Sequence, residues 1–514
     1  MPISGTMFFD IQVQPLMSTP GFDRMTARRK FGANSQGGSP ALSRRALLEA
    51  GGRGLLGVGL TGALASQRLA AGELRPDANS PLQSSAVPAG ASKRPALRAR
   101  AKSVIFLYQF GGPSHVDLLD RKPGAPDQIR GPLAGIATTM PGMQTCEQLP
   151  RLATVMDKVT LVRSVHHEFK NHNPASYYAL SGHAPPVDDI RLRESLDLYP
   201  AYGSVVDRLA PVARELPTFV AYPHAIRDGE ITPGQRASFL GRRHDPLFFR
   251  ADPNAADFRL PELSLPEGIS TDRLADRRQL QQLIDGQSQL WETTAGRGLG
   301  AQYDRAVELI GSTRVRDAFN LAAEPAKVRD GYGRTTYGQG LLLARRLVEA
   351  GVRFINVYFS SNIGGQSYTS GGWDTHGFNN TLMYPIMKAW HLPITDQTLP
   401  TLLLDLDERG LLDETLVVWM GEFGRTPKIN KFAGRDHWPG CYTVLLAGGG
   451  LKRGYIHGAS DRDGAKPDLD PVRLDDLAAT IYWLLGIDPA SEVLGPNERP
   501  LRITSGEVIW PIVA

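Results

Sequence analysis

Cysteine is nearly missing from this chain. Only Cys146 and Cys441 occur in 514 residues, which excludes a disulfide scaffold and a thiolate zinc cluster. One bridge between them is sterically open, and sequence spacing alone does not decide it. Charge of one sign is missing as well: 57 basic and 53 acidic residues are interspersed and leave a net charge of +4. Composition therefore carries no footprint of nucleic acid or another polyanion. No apolar run suits a membrane span of about 20 residues, because the candidate from Gly51 to Ala65 is short and rich in glycine. No internal repeat is visible.

What the amino-terminal segment does contain is an address. Arg28-Arg29-Lys30 and a polar Gly-Ser stretch precede Ser43-Arg44-Arg45-Ala46-Leu47-Leu48, followed by the weakly apolar run and small residues. This order reads as an export signal of the twin-arginine type over residues 1–71, with cleavage near Ala65 to Ala71. The mature chain is then expected in the periplasm or outside the cell, without a transmembrane anchor. Residues 72–100, rich in Pro, Ser and Ala, read as a linker, and residues 101–514 as one α/β domain.

Within that domain, buried strands alternate with helices. Lys102–Tyr108, Val159–Val165, Gly351–Tyr358, Thr415–Met420 and Tyr442–Leu446 are apolar runs without polar alternation, as expected of strands covered on both faces. Helical patterns fall at Tyr177–Gly182, Thr336–Ala350, about Leu399–Arg409 and Leu474–Leu485. The alternation predicts a largely parallel, doubly wound sheet with helices on both faces. Residues 184–331 are looser and rich in proline, with a polar helical run from Asp272 to Leu290, and read as an insertion carrying lid loops and helices.

Polar chemistry gathers where these strands end. The segment 371–458 holds Gly-Gly-Trp-Asp374-Thr-His376-Gly, Gly-Glu422-Phe-Gly-Arg425-Thr-Pro and Gly-Arg-Asp436-His437-Trp-Pro. Each places a carboxylate or imidazole among glycines, and the middle one follows an apolar strand directly, so Glu422 belongs at a sheet rim. The first strand ends in Gly-Gly-Pro-Ser114-His115-Val-Asp117, whose polar residues either line the same site or shape its loop. The second runs into His166-His167-Glu168-Phe169-Lys170-Asn171-His172, with His172 at a helix start, where an anion is favoured. A polar turn that merely ties loops together would use the same residue types.

With these motifs the chain is identified as a member of the domain of unknown function 1501 family, exported sulfatase-like bacterial proteins. The resemblance covers residues 43–514 and includes Phe110-Gly-Gly-Pro-Ser-His115, Asp120-Arg-Lys-Pro123 and Ala344-Arg-Arg-Leu-Val-Glu-Ala-Gly351. That family in turn resembles the alkaline phosphatase and sulfatase superfamily, which implies an α/β sandwich with a divalent-metal site at the strand ends. The superfamily's Ser-Asp-His-Gly is similar to Gly421-Glu422-Phe423-Gly424, which implies Glu422 as a metal ligand and a Phe in place of a His. The earlier Asp and His correspond to Asp374 and His376, and the late His to His437, so the resemblance implies Asp374, His376, Glu422 and His437 as an N/O donor set suited to zinc or manganese, or with added carbonyls to calcium. His172 stands where the nucleophile belongs, and Phe110-Gly111 replace an Asp pair. These departures imply attack by water activated at the metal rather than a covalent intermediate, with His172 as acid, base or anion donor and Arg425 paired with ester oxygens. The expected function is hydrolysis of phosphate or sulfate esters, on polysaccharides among other carriers. Its rival is a degenerate protein that holds anionic glycans or a cell-surface partner without turnover.

Overall fold

The computed structural model describes residues 96–213, 215–259, 312–360, 372–378 and 381–514, all within one compact unit, Ala91–Ala514. The export signal, nearly all of the linker and the Asp272–Leu290 run lie outside the described residues.

A central sheet of eight strands organises this unit: β1 (Ser103–Tyr108), β2 (Val159–Val165), β3 (Phe219–Tyr222), β4 (Leu247–Phe248), β5 (Phe354–Tyr358), β6 (Thr415–Met420), β7 (Tyr442–Ala447) and β8 (Tyr455–His457). Their spatial order is β8-β2-β7-β6-β1-β5-β3-β4. Strand β1 pairs in parallel with β6 on one side and β5 on the other. Only β7 is reversed, being antiparallel to both of its neighbours, β6 and β2. The sheet is thus largely parallel, with β1 and β6 at its centre.

Residues of β1 are buried throughout because helices cover both faces. Ile105 and Leu107 join one apolar core with Val417, Trp419 and the leucines of α3 (Thr336–Glu349) and α4 (Leu392–Glu408). Val104, Phe106 and Tyr108 join the other, with α1 (His172–Ser181), α2 (Tyr202–Leu209) and α5 (Leu474–Leu484). The period-two alternation of the strand therefore feeds two cores.

Helix boundaries differ from the expectation at two points. Helix α1 begins at His172, five residues before the apolar pattern starts, because Pro174 lies in its first turn, where a missing N–H costs nothing. Helix α4 begins at Leu392, about seven residues before the expected start, with Pro393 in its first turn. The loose segment also supplies more than loops, since β3 and β4 form one edge of the sheet. Cys146 and Cys441 are both buried free thiols.

Candidate metal centre

Strands β1, β2, β5 and β6 run the same way, so their carboxyl ends share one sheet edge. Reversal of β7 brings its amino end to that edge too. The ribbon just before it, Gly424–Arg425 paired with His437–Trp438, thereby returns His437 to the site. Close approach of the loops requires glycine at 111: its φ is +103°, and a Cβ there would lie 2.3 Å from the Asp374 nitrogen.

At this edge Asp374, His376 and His437 meet. Asp374 Oδ1 lies 2.7 Å from His376 Nε2 and 2.9 Å from His437 Nε2, and the two imidazole nitrogens are 3.0 Å apart. Their outer nitrogens fix the tautomers. His437 Nδ1 donates to the Lys170 carbonyl at 2.8 Å, and His376 Nδ1 to Asp436 Oδ1 at 3.0 Å. Burial and the neighbouring His172 lower His437 to about 3, so it is neutral with its Nε2 lone pair facing inward. One carboxylate oxygen and two imidazole nitrogens thus converge, the His437 lone pair among them. That arrangement fits a divalent ion, whose histidine ligands are commonly oriented by a carbonyl or carboxylate on the far nitrogen. A tetrahedral zinc with bonds of about 2.1 Å holds its ligand atoms roughly 3.4 Å apart, slightly wider than seen here.

His172 borders this triad. Its Nε2 is 3.4 Å from Asp374 Oδ1, buried and without a hydrogen-bond partner. Among the described residues, His172, Asp374 and His437 each present a ligand-type atom within 4.8 Å of the others. His172 Nδ1 donates to Glu422 Oε1 at 2.7 Å. Burial alone would lower its pKa, but Asp374 and Glu422 together raise it to about 10. Burial likewise pushes Asp374 up, while His172 and Arg425 hold it well below the usual carboxylate range. Phe423 and Phe110 pack on the His172 ring at 5.1 and 5.5 Å and shield it from water.

Several expected site residues stand elsewhere. Glu422 does not face the triad: it sits behind His172, with Oε1 also taking the Gly111 N–H at 2.8 Å and Oε2 the Tyr108 hydroxyl at 3.1 Å. Arg425 is fully buried and turned inward, donating to the carbonyls of Gly111, Gly112, Trp373 and Arg435 and to Asp374. Its donors bind the loops together, which leaves it unsuited to gripping ester oxygens. Ser114 and Asp117 belong to a buried ion pair, in which Asp117 takes Arg435 at 2.8 and 3.0 Å and the Ser114 hydroxyl at 2.6 Å. His115 anchors the Gly464 carbonyl at 2.8 Å. Asp436 orients His376 instead of facing the triad.

The family model for the protein of unknown function DUF1501 matches residues 101–513. The chain belongs to this family. Solved structures similar to the chain include the PsFucS1 sulfatase from Pseudoalteromonas sp., at 13% identity over 76% of this chain and 68% of that one, TM-score 0.36. A lipoteichoic acid synthase, LtaP, from Listeria monocytogenes matches at 10% identity over 76% and 73%, TM-score 0.36. A phosphonate monoester hydrolase, SpPMH, from Silicibacter pomeroyi matches at 13% over 80% and 76%, TM-score 0.33. No curated protein matches the sequence.

Sequence reasoning missed Tyr108, Arg435, His167 and Asp228. The first two carry little local signal, since a strand-end Tyr and a loop Arg have many uses. His167 was visible in the histidine-rich run, and it donates from Nε2 to the Glu422 carbonyl at 2.7 Å while its Nδ1 accepts the Phe169 N–H. Asp228 lies in the loose segment, on a hairpin fastened to α1 by Asn173.

Proposed function

We propose that this protein is an exported metal-dependent hydrolase of phosphate or sulfate esters, with the ion held by Asp374, His376 and His437. The observation that carries the reading is the convergence of one carboxylate oxygen and two imidazole nitrogens within 3.0 Å of one another, with a carboxylate and a carbonyl orienting the two rings from behind. Three protein ligands with an open position are the pattern of catalytic rather than structural zinc. When bound, the ion supplies Lewis-acid polarisation of an ester oxygen.

The chain's own residues then handle position and protons. Glu422 holds His172 Nδ1, so the ring presents Nε2 toward Asp374 and the reacting ester. From there the protonated Nε2 can donate to an ester oxygen. Phe110 and Phe423 keep this face dry, which strengthens each charge interaction. Arg425 fixes Asp374 and the Gly111 loop in register. Among the described residues, no Ser, Thr or Cys takes part in the contacts that define the triad and His172, so direct attack by water is the more economical route.

His172→Gln is the test. Colorimetric aryl phosphate and aryl sulfate esters are assayed with zinc, manganese and calcium. The wild type is expected to turn over one of them, and the variant to lose at least a hundredfold in kcat while retaining its metal. A wild-type protein that binds metal and anionic esters but hydrolyses neither would favour the non-catalytic binding protein.

A further inference from the structure

Two phenylalanines stand at the rim beside His376. Phe378 and Phe432 are 36% and 47% exposed, with ring centroids 5.6 Å apart at 61°. Phe378 also touches the His376 ring at 4.8 Å. We propose that this pair is a stacking subsite for the sugar ring of a glycan-linked ester, which rests on the ester-hydrolase reading above.

The pair is held in place rather than loosely displayed. A Cβ on Gly434 would lie 2.2 Å from the His376 carbonyl group, and one on Gly377 2.2 Å from the Phe432 oxygen, so the two loops touch backbone to backbone. Asn430 locks them further: its Nδ2 donates to the His376 carbonyl at 2.9 Å, and its Oδ1 accepts the N–H groups of Phe432 at 2.9 Å and Gly434 at 3.1 Å. Exposing two aromatic faces on a rigid loop forgoes favourable burial, and an ester bound at His376 must carry its remaining atoms across adjoining surface. A face of aliphatic C–H groups, such as a pyranose presents, would cover the rings.

Charge and hydrogen bonding favour a sugar over a lipid surface. Lys431 sits over the Phe432 ring at 5.0 Å, where it can meet an acidic substituent farther along a chain. The surroundings are not uniformly basic, since exposed Asp436 lies in the same loop. On the α1 side, Asp228 is 8% exposed and its Oδ2 has no partner. Its backbone carbonyl lies 3.2 Å from Asn173 Nδ2, one residue beyond His172. The charges of His172, Asp374 and Glu422 act on it. An unmet acceptor beside the site suits a ligand that brings hydroxyl donors.

The test uses the full chain and two matched pairs of probes: glucose 6-sulfate against ethyl sulfate, and glucose 6-phosphate against ethyl phosphate, titrated calorimetrically. The wild type should bind the sugar ester at least tenfold more tightly than the ethyl ester of its preferred anion. F378A/F432A should bring the two within about twofold, with ethyl ester affinity unchanged, and F378Y/F432Y should restore the preference. Equal affinity in the wild type, or a preference that survives F378A/F432A, overturns the subsite while leaving the hydrolase reading intact. Failure of every ester to bind overturns both. Wild-type binding to phosphatidylglycerol vesicles that F378A/F432A abolishes would assign the rings to a lipid surface and overturn the sugar.

Discussion

Both oxygens of Glu422 are engaged, one by His172 Nδ1 and the Gly111 N–H and the other by Tyr108. Glu422→Gln keeps the shape but removes the charge opposite His172, so hydrolysis should fall about tenfold to a hundredfold, as for other residues that orient a reacting group. Metal content should stay unchanged, and its loss would return Glu422 to the ligand set. A second residue-scale expectation concerns acid. Burial lowers His167 to about 4, against a usual value of about 6.5. Below 6.5 the unfolded chain binds this proton and the fold does not, so the stability from a neutral His167 is present above pH 6.5 and declines as pH falls to 4. The contribution is on the order of 3 kcal/mol, read as a falling urea midpoint across that window. A flat midpoint between pH 6.5 and 4 would contradict it.

At the scale of elements, the loop after β1 and the loop before the His437 strand are joined through the buried Asp117–Arg435 pair. Arg435→Met leaves Asp117 charged, buried and without its partner, and should cost about 3–5 kcal/mol in chemical denaturation. The double variant Asp117→Asn with Arg435→Met should recover part of that loss, and a single variant as stable as wild type would show the pair to be incidental. The strand runs β1, β2 and β6 were legible because continuous apolar stretches have few other uses. Helix α4 was half-legible: its second half, about Leu399 to Arg409, was expected, and the turns from Leu392, with Pro393 in the first of them, were not. Reversal of β7 was not legible, because an apolar run carries no direction. Glycine-flanked Asp374, His376 and His437 pointed to the site. That Glu422 lies behind His172 and not against the triad needed the fold, since which of two polar residues stands in front depends on how α1 packs.

For the whole molecule, the amino-terminal segment and the metal centre make separate claims. We propose that residues 1–75, fused to a reporter, direct its export and that Arg44→Lys with Arg45→Lys blocks it, because the route reads arginine and not charge. A wild-type fusion retained in the cytoplasm would overturn that. The claim on which the rest depends is the ion at Asp374, His376 and His437. Elemental analysis of the purified full chain after equilibration with zinc and manganese and exhaustive dialysis measures it directly. The wild type should retain about one divalent ion per chain, and His437→Ala with Asp374→Asn well under a tenth of that while its urea midpoint shows it still folded. A wild-type chain that emerges without metal, or a folded variant that holds as much as wild type, would contradict the account.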